Sequence, residues 1–233
     1  ETVDRAGPGL VEPYTSWEKN NDTAYQLMNA EKSRSVTMVA GPVLVMERYI
    51  KQWPEMTGMT KALNLLGLEC NRLGRSDDAK ATLNKAIELA NNTNDAFANT
   101  IKINLAQVEA DMGDYEQAEK RLKKVMSVPL PDSLEDGNLA AAQLFIAPQT
   151  LAEIYHTQGQ TALADQLLRE NALKAIQLTK ENPGIKWIPS YAVGAYQKRI
   201  SMLLMDGKDL QTAYALVDEL EQALPNYKTL VPY

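Results

Sequence analysis

The sequence predicts an all-α fold, a solenoid of antiparallel helix pairs. In several separate segments apolar residues recur every three or four positions, and this spacing places them on one face of a helix. A short turn that contains a glycine separates neighbouring segments. After each of these glycines a small residue and then a larger aliphatic residue follow at nearly constant distances. Helical hairpins that repeat along the chain account for all three observations.

The first of these pairs is predicted around Gly74. Before this glycine the apolar spacing is 3, 4, 3, in Leu63, Leu66, Cys70 and Leu73. After it the spacing is 4, 3, 4, in Ala79, Leu83, Ala86 and Ala90. Two acids, Asp77 and Asp78, fall in the first turn of the second helix, where the helix dipole favours negative charge. We therefore expect two helices joined by a tight turn.

The next pair centres on Gly113, in the stretch "DMGDYEQAEKRL". One helical face is formed by Ile101, Leu105, Val108 and Met112, and another by Tyr115, Ala118, Leu122 and Val125. The phases of the two faces do not match across Gly113, so one continuous helix is excluded. A glycine there can adopt the left-handed conformation that ends a helix without a side-chain clash. We expect Gly113 to end one helix so that the next can fold back.

The pattern returns at Gly159 and Gly207, which gives four pairs in all. A small residue follows each glycine by five or six positions: Ala79, Ala118, Ala164 and Ala213. A larger aliphatic residue follows four positions later: Leu83, Leu122, Leu168 and Val217. Small residues at a fixed register allow the two helices of each pair to approach closely.

These residues resemble the tetratricopeptide repeat (TPR), whose pattern includes a Leu-Gly pair, an aromatic residue, a small residue in the second helix and a closing proline. Leu66-Gly67 supplies the pair, Tyr155 the aromatic residue and Pro225 the proline, and the four alanines supply the small residue. The resemblance extends over residues 60–225 and implies a right-handed superhelical solenoid. Successive turn glycines are 39, 46 and 48 residues apart, whereas the standard repeat has about 34. We expect the additional residues in the segment 129–138 and in an extended second helix of the third pair.

The predicted organisation has four segments. Residues 1–14 form an extended tether, 15–56 are two capping helices, 57–225 are the four pairs, and 226–233 are a tail. In the capping segment, Trp17, Ala24, Leu27 and Met28 share one face, and a second helix is expected within 36–53, beginning or kinking near Pro42. The first residue is Glu1, which is compatible with a cytoplasmic fragment or with a processed exported protein, so the compartment is left open.

The composition argues against several functional classes. The net charge of −6 opposes binding to a phosphate backbone, so we expect no nucleic-acid partner. One cysteine, Cys70, and one histidine, His156, do not provide an internal disulfide or a histidine metal cluster. The longest apolar run spans 11 residues, against the roughly 20 that cross a bilayer. We expect no metal, no cofactor and no transmembrane segment.

Catalytic chemistry is not predicted either. His156 has no second histidine beside it in the sequence, and we interpret it as a structural or groove-lining residue. The acid pairs Asp77-Asp78 and Glu135-Asp136 fall at a helix start and in a loop, where acids compensate the dipole or are solvated. The stretches "AGPGL" (6–10) and "NPGI" (182–185) contain glycine but lack the lysine and hydroxyl residue of a phosphate-binding loop. We therefore expect a non-catalytic protein.

The resemblance implies recognition of an extended peptide or a partner helix on the concave surface formed by the first helix of each pair. The register of the repeats places on this surface Asn64, Asn71, Asn104, Gln107, Gln149, Glu153 and Lys198. Their amides can donate and accept at once, and so can satisfy a peptide backbone of any sequence. The alternative is that these side chains are simply solvated. A second candidate is the segment of Trp187 and Tyr191, either a binding anchor in a loop or a packing element.

The TPR class that holds the C-terminal carboxylate of chaperones is argued against by its clamp residues. Asn64 stands where that clamp has lysine, Leu68 stands where it has asparagine, and only Asn104 matches. Ile146 and Thr150 replace its basic pair. The predicted function is therefore a protein-interaction scaffold with an unidentified partner. The alternative is a regulatory or sensor domain of a longer protein that binds a small ligand or peptide.

Overall fold

A computed structural model of the chain describes residues 21–35, 40–93, 95, 97–130, 133–134, 137–207 and 210–225. These residues form ten helices and no strand, which confirms the all-α prediction. The helices are α1 (Asn21–Arg34), α2 (Gly41–Gln52), α3 (Met59–Arg72), α4 (Ser76–Asn92), α5 (Ala98–Asp111), α6 (Tyr115–Met126), α7 (Gly137–Ala141, a π-helical turn Ala142–Ile146, then Ala147–Thr157), α8 (Thr161–Glu181), α9 (Ile188–Met205) and α10 (Leu210–Ala223).

The chain divides into two compact units between Val108 and Glu109, inside α5. The division falls within the segment 57–225 that the sequence assigns to four consecutive pairs. The assignment of capping and repeat segments stays a prediction. The tether, Trp17, the pair Glu135-Asp136 and the tail 226–233 lie outside the described residues.

The first unit has one apolar core to which α1 through α5 contribute. Its largest fully buried side chains are Met28, Met46, Tyr49, Leu83 and Ile101. The second predicted N-terminal helix is α2, with Pro42 in its first turn. Proline is tolerated there because the N–H groups of a first turn have no acceptor within the helix. In α1, Ala24 and Met28 are buried as the predicted helical face requires.

The turn glycines end their helices as predicted. Gly113 has φ +85°, its N–H donates to Ala110 O at 2.9 Å, and the N–H of Asp114 donates to Glu109 O at 2.8 Å. This pair of hydrogen bonds is a Schellman motif, which satisfies the last carbonyl groups of α5. The other three turn glycines also have positive φ: Gly74, Gly159 and Gly207.

A close helix approach explains the Leu-Gly pair in α3. A Cβ atom on Gly67 would lie 2.6 Å from Leu83 Cγ and 3.4 Å from Ala79 O, both in α4. Leu83 and Ala79 are fully buried, so neither can move away easily. The glycine and the small residue of this pair therefore act together to hold α3 against α4.

In the second unit, α7 contains a proline that a side chain of α8 compensates. In an α-helical register the N–H of residue 148 would donate to Leu144 O, but residue 148 is proline and has no N–H. The side chain of Asn171 supplies the donor, with Nδ2 2.7 Å from Leu144 O. Asn171 Oδ1 in turn accepts from Gln149 Nε2 at 2.9 Å. The π-helical turn at Ala142–Ile146 lies immediately before this proline.

Two further buried polar contacts stabilise the second unit. Glu109 has no exposed surface and accepts two hydrogen bonds from Arg121, at 2.7 and 2.8 Å. Tyr196 is 1% exposed and its hydroxyl donates to Glu219 Oε1 at 2.7 Å. Burial first, and then this hydrogen bond, raise the pKa of Tyr196 to about 12. Neither contact has a signature in the apolar spacing of the sequence.

Candidate functional site

The candidate site is a groove in the second unit between α7 and α9, the first helices of the third and fourth pairs. Its volume is about 440 Å³. The groove is lined by Glu153, His156 and Thr157 from α7 and by Gly194, Gln197, Lys198, Ser201, Met202 and Met205 from α9. Glu153 and Lys198 were both predicted from the sequence to line the concave surface, and the structure brings them together here.

Two charged contacts bridge the helices along this groove. Lys198 Nζ forms an ion pair with Glu153 Oε1, and both side chains are partly exposed. One end of α7 is joined to the end of α9 through His156, whose Nε2 lies 2.9 Å from Asp206 Oδ1. This second contact is a hydrogen bond when Nε2 carries the proton. Both contacts present charged atoms beside the groove.

Methionine side chains provide the apolar part of the groove. Met202 is 8% exposed, whereas Met205 is 72% exposed at the end of α9. Leu204, next to Met205, is also exposed. Methionine is flexible and polarizable, and it adapts to differently shaped apolar side chains. The groove therefore combines a charged wall with an adaptable apolar end.

Gln149 was predicted to line the concave surface, but its amide is used inside the protein. It is 7% exposed, and its Nε2 donates to Asn171 Oδ1 and to the main-chain oxygen of Tyr191, at 2.9 and 3.2 Å. A ligand contact would require these bonds to be exchanged. Gln149 is thus neither a free amide nor a solvated one, and its role in binding stays a prediction.

The four amides predicted in the first unit lie on α3 and α5. Asn64 is 4% exposed and accepts a hydrogen bond from Asn104 Nδ2 at 2.8 Å. Asn71 accepts from the hydroxyl of Ser76 at 3.2 Å, and Gln107 is half-buried. Asn64 and Asn104 therefore bind each other, which joins the first helices of two successive pairs. Their contact with a peptide stays a prediction.

The aromatic pair Trp187 and Tyr191 packs around a residue that the sequence analysis missed. Phe145, fully buried in the π-helical turn, stacks on Tyr191 with ring centroids 4.9 Å apart and meets Trp187 edge-on at 6.1 Å. Trp187 Nε1 donates to Leu134 O at 3.3 Å. A Cβ atom on Gly137 would lie only 2.8 Å from Trp187 Nε1, so the indole ring packs directly on the main chain of this glycine. The prediction of a loop was wrong for Tyr191, which lies in the first turn of α9. That helix begins at Ile188, and Pro189 is its second residue, where proline is tolerated.

Other chemistry finds little support in the described part of the chain. It contains no group of three or more His, Cys, Asp or Glu side chains placed to hold a metal ion. Cys70 is 1% exposed in the first-unit core, and burial raises the pKa of its thiol, which disfavours the reactive thiolate. Among the same residues, no helix has the length and apolar character needed to cross a membrane.

Comparison with known protein families gives a match to one segment of the chain. The tetratricopeptide repeat model matches residues 60–93, which include all of α4 and nearly all of α3. Residues 60–93 are thus similar to a tetratricopeptide repeat, and the fold is TPR-like. No curated protein sequence matches the chain.

Solved structures extend the TPR-like fold beyond the matched repeat. One is a glutamine-to-methionine variant of the nearly identical TPR-like repeats from a kinesin-light-chain-like protein of Podosopora anserina, which is 13% identical with a TM-score of 0.60. The match covers 89% of this chain and 95% of that one. The unsubstituted form is also 13% identical, with a TM-score of 0.57, and the match covers 86% and 93% of the two chains. At this identity the likeness concerns the fold alone.

Proposed function

We propose that this chain is a non-catalytic protein-interaction scaffold that binds an extended peptide or a partner helix in the groove between α7 and α9. TPR-like repeats generally serve protein interactions. The resemblance implies that the first helix of each pair contributes to the binding face, and the repeat register makes α7 and α9 first helices. The observation that supports the proposal is the juxtaposition of Glu153 and Lys198 in a groove of about 440 Å³ on those helices.

The chemistry of the groove suits a peptide main chain. Lys198 can donate to a carbonyl group, and Glu153 can accept from an N–H group, so together they match the N–H and C=O groups that one residue of an extended peptide presents on the same side. Their ion pair is partly exposed, and such a pair contributes only about 0–1 kcal/mol to folding. Opening it to bind a ligand therefore costs little.

The exposed apolar residues at the end of α9 suit an apolar side chain of the same ligand. Met205 would lose much of its 72% exposure on binding, and burial of apolar surface contributes about 25 cal/mol per Å². The charged wall then fixes the direction of the peptide, and the methionine supplies affinity. Binding of the ligand forms and breaks no covalent bond.

A peptide-display selection tests the proposal even though the partner is unidentified. Peptides are selected from a random library on the intact chain, and their affinities are then measured by fluorescence anisotropy. The groove variant combines Glu153→Ala with Lys198→Ala, and a second variant carries Met205→Ser. We expect each to weaken the selected peptides by about tenfold or more, the change that the loss of one charge-assisted hydrogen bond or one buried apolar contact produces.

The matched control removes one acid and one base from the second helix of the same pair. Glu170 and Lys174 are exposed on α8 and do not line the groove. The variant Glu170→Ala with Lys174→Ala has the same change in charge and should keep wild-type affinity. A library that yields no specific peptide, or peptides that bind the groove variant as well as the control, would contradict the proposal.

A further inference from the structure

A second pocket lies in the first unit and has no part in the proposed peptide groove. Its volume is about 560 Å³, within the range of small-ligand sites. It is lined by Tyr25 and Gln26 in the first half of α1, by the segment between α2 and α3, by the first turn of α3 and by the end of α4. Thus the start of one helix opens directly into it.

The start of α3 leaves two main-chain donors without acceptors among the described residues. Met59 N–H donates to Met56 O, and Ala62 N–H donates to Gly58 O, at 3.1 and 2.9 Å. Between them, the N–H groups of Thr60 and Lys61 have no such partner. The helix has no acid in its first turn and no side chain that caps it. These donors and the helix dipole favour an anionic group.

A side chain at the same place independently points to a ligand. Thr60 is only 7% exposed, and it lines the pocket. Its hydroxyl makes no hydrogen bond to any described residue. The hydroxyl oxygen nevertheless remains accessible to solvent. A buried residue that lines a pocket and whose hydroxyl has no partner among the described residues is placed to bind what enters that pocket.

The charges around the pocket have both signs. Lys61 is the one cation among the described lining residues, and Glu55 and Asp95 are its acids. Asp95 uses one carboxylate oxygen to cap the next helix, accepting from Phe97 N at 2.9 Å. A simple anion would be attracted by the start of α3 and repelled by the two acids. A molecule with an ammonium group and a carboxylate group matches both.

We propose that this pocket binds a small zwitterion, an α-amino acid or a dipeptide, through its carboxylate at Thr60 and Lys61 and through its ammonium group at Glu55 and Asp95. The apolar lining then receives the side chain of the ligand. Tyr25 and Met59 are half-buried there, and a Cβ on Gly58 would lie 3.2 Å from the Tyr25 ring. The binding step is reversible and involves no covalent change.

The experiment is a titration of the intact chain, uniformly labelled with ¹⁵N, with the common α-amino acids singly and with a set of their alanine dipeptides. We expect saturable shifts of the Thr60 and Lys61 amide resonances, because these N–H groups gain an acceptor. The N-acetylated ligand lacks the ammonium group, and the amidated ligand lacks the carboxylate. Each should bind at least about tenfold more weakly than the parent zwitterion. Binding of amino acids alone, or of dipeptides alone, identifies which source fits the pocket.

Two substitutions keep the fold and remove the proposed contacts. Thr60→Val replaces an unpartnered hydroxyl with a methyl group of the same shape, and Lys61→Gln removes an exposed charge. Both should reduce the affinity about tenfold, whereas Lys51→Gln, at an exposed lysine outside the lining, should not. Failure of every zwitterion to shift these amides, equal binding of the capped ligands, or wild-type affinity in Thr60→Val would overturn the proposal. None of these results bears on the α7–α9 groove.

Discussion

Replacing Asn171 with leucine should destabilise the second unit by an amount that depends on Pro148. Asn171 is 5% exposed, and it provides the hydrogen bond to Leu144 O that proline is unable to supply. Leucine has nearly the same shape but neither a donor nor an acceptor, so Leu144 O loses this hydrogen bond and Gln149 Nε2 keeps only its bond to Tyr191 O. An unsatisfied carbonyl group in such a place costs about 1–3 kcal/mol. We therefore expect Asn171→Leu to lower the free energy of unfolding by about 2 kcal/mol.

The second half of the experiment restores the missing donor. In Pro148→Ala the main chain regains an N–H four residues after Leu144, which can donate to its carbonyl oxygen. The cost of Asn171→Leu should then fall by about 1 kcal/mol or more, because the carbonyl group no longer depends on the side chain. The cost that remains is the lost hydrogen bond from Gln149 Nε2 to Asn171 Oδ1. The difference between the two costs is the coupling free energy of a double-mutant cycle.

Urea unfolding monitored by Trp187 fluorescence measures these values, since Trp187 packs on Phe145 in the turn concerned. The two other tryptophans, Trp17 and Trp53, are replaced by phenylalanine so that the signal reports the second unit alone. Thr179→Val is the control, because its hydroxyl bonds Ala175 O in the ordinary helical way and should cost less than about 0.5 kcal/mol. An equal cost of Asn171→Leu in both backgrounds would refute the assigned role.

Three other changes test features of the fold. Glu109→Leu leaves Arg121 unpaired beside the core and should lower the free energy of unfolding, measured in urea, by about 3 kcal/mol. Adding Arg121→Leu should restore at least about half of that free energy. A double variant as unstable as the single one would count against this ion pair. The pKa of Tyr196 is raised to about 12 in the folded chain, against about 10 when unfolded, so its stabilisation is complete below about pH 10 and is lost as the pH rises through 12. Between pH 10 and pH 12, Tyr196→Phe should lose about 2–3 kcal/mol less unfolding free energy than the wild type does. The same dependence of unfolding free energy on pH in both proteins would rule out the assignment. Gly113→Val should lower the melting temperature, because a β-branched residue is strained at the φ of +85° that Gly113 adopts. Gly113→Asn should lower it much less, since asparagine tolerates this conformation. Equal melting temperatures of the two variants would show that the turn does not depend on this torsion.

The helices and their turns were predictable because both depend on nearby residues. Apolar spacing determines which side of a helix is buried, and the φ of a turn glycine depends on local steric contacts. Ala79, Ala118 and Ala164 are fully buried at the positions that the repeat pattern assigns to them. The long α8, which ends at Glu181, was likewise visible as continuous helical spacing.

The partners of the polar side chains were not predictable in the same way. Asn64 and Gln149 occupy the predicted helices, but spacing along one helix does not reveal which groups another helix brings near. Asn104 lies 40 residues from Asn64, and Asn171 lies 22 residues from Gln149. Pro148 was the one local sign of the Asn171 contact, since a proline within a helix leaves a carbonyl group in need of a donor. The repeat register placed Glu153 and Lys198 on one predicted surface, but their ion pair was visible only in the structure.

The unequal lengths of the helices have a consequence for modularity. α8 has 21 residues and α6 has 12, so at 1.5 Å per residue α8 is longer by about 13 Å. Consensus repeat arrays can be lengthened or shortened because each unit offers its neighbours the same surface. A pair whose second helix extends about two and a half turns further than that of another pair offers a different surface. The third pair is therefore not interchangeable with its neighbours, and duplicating or deleting it would leave mismatched surfaces rather than a longer or shorter version of the same protein.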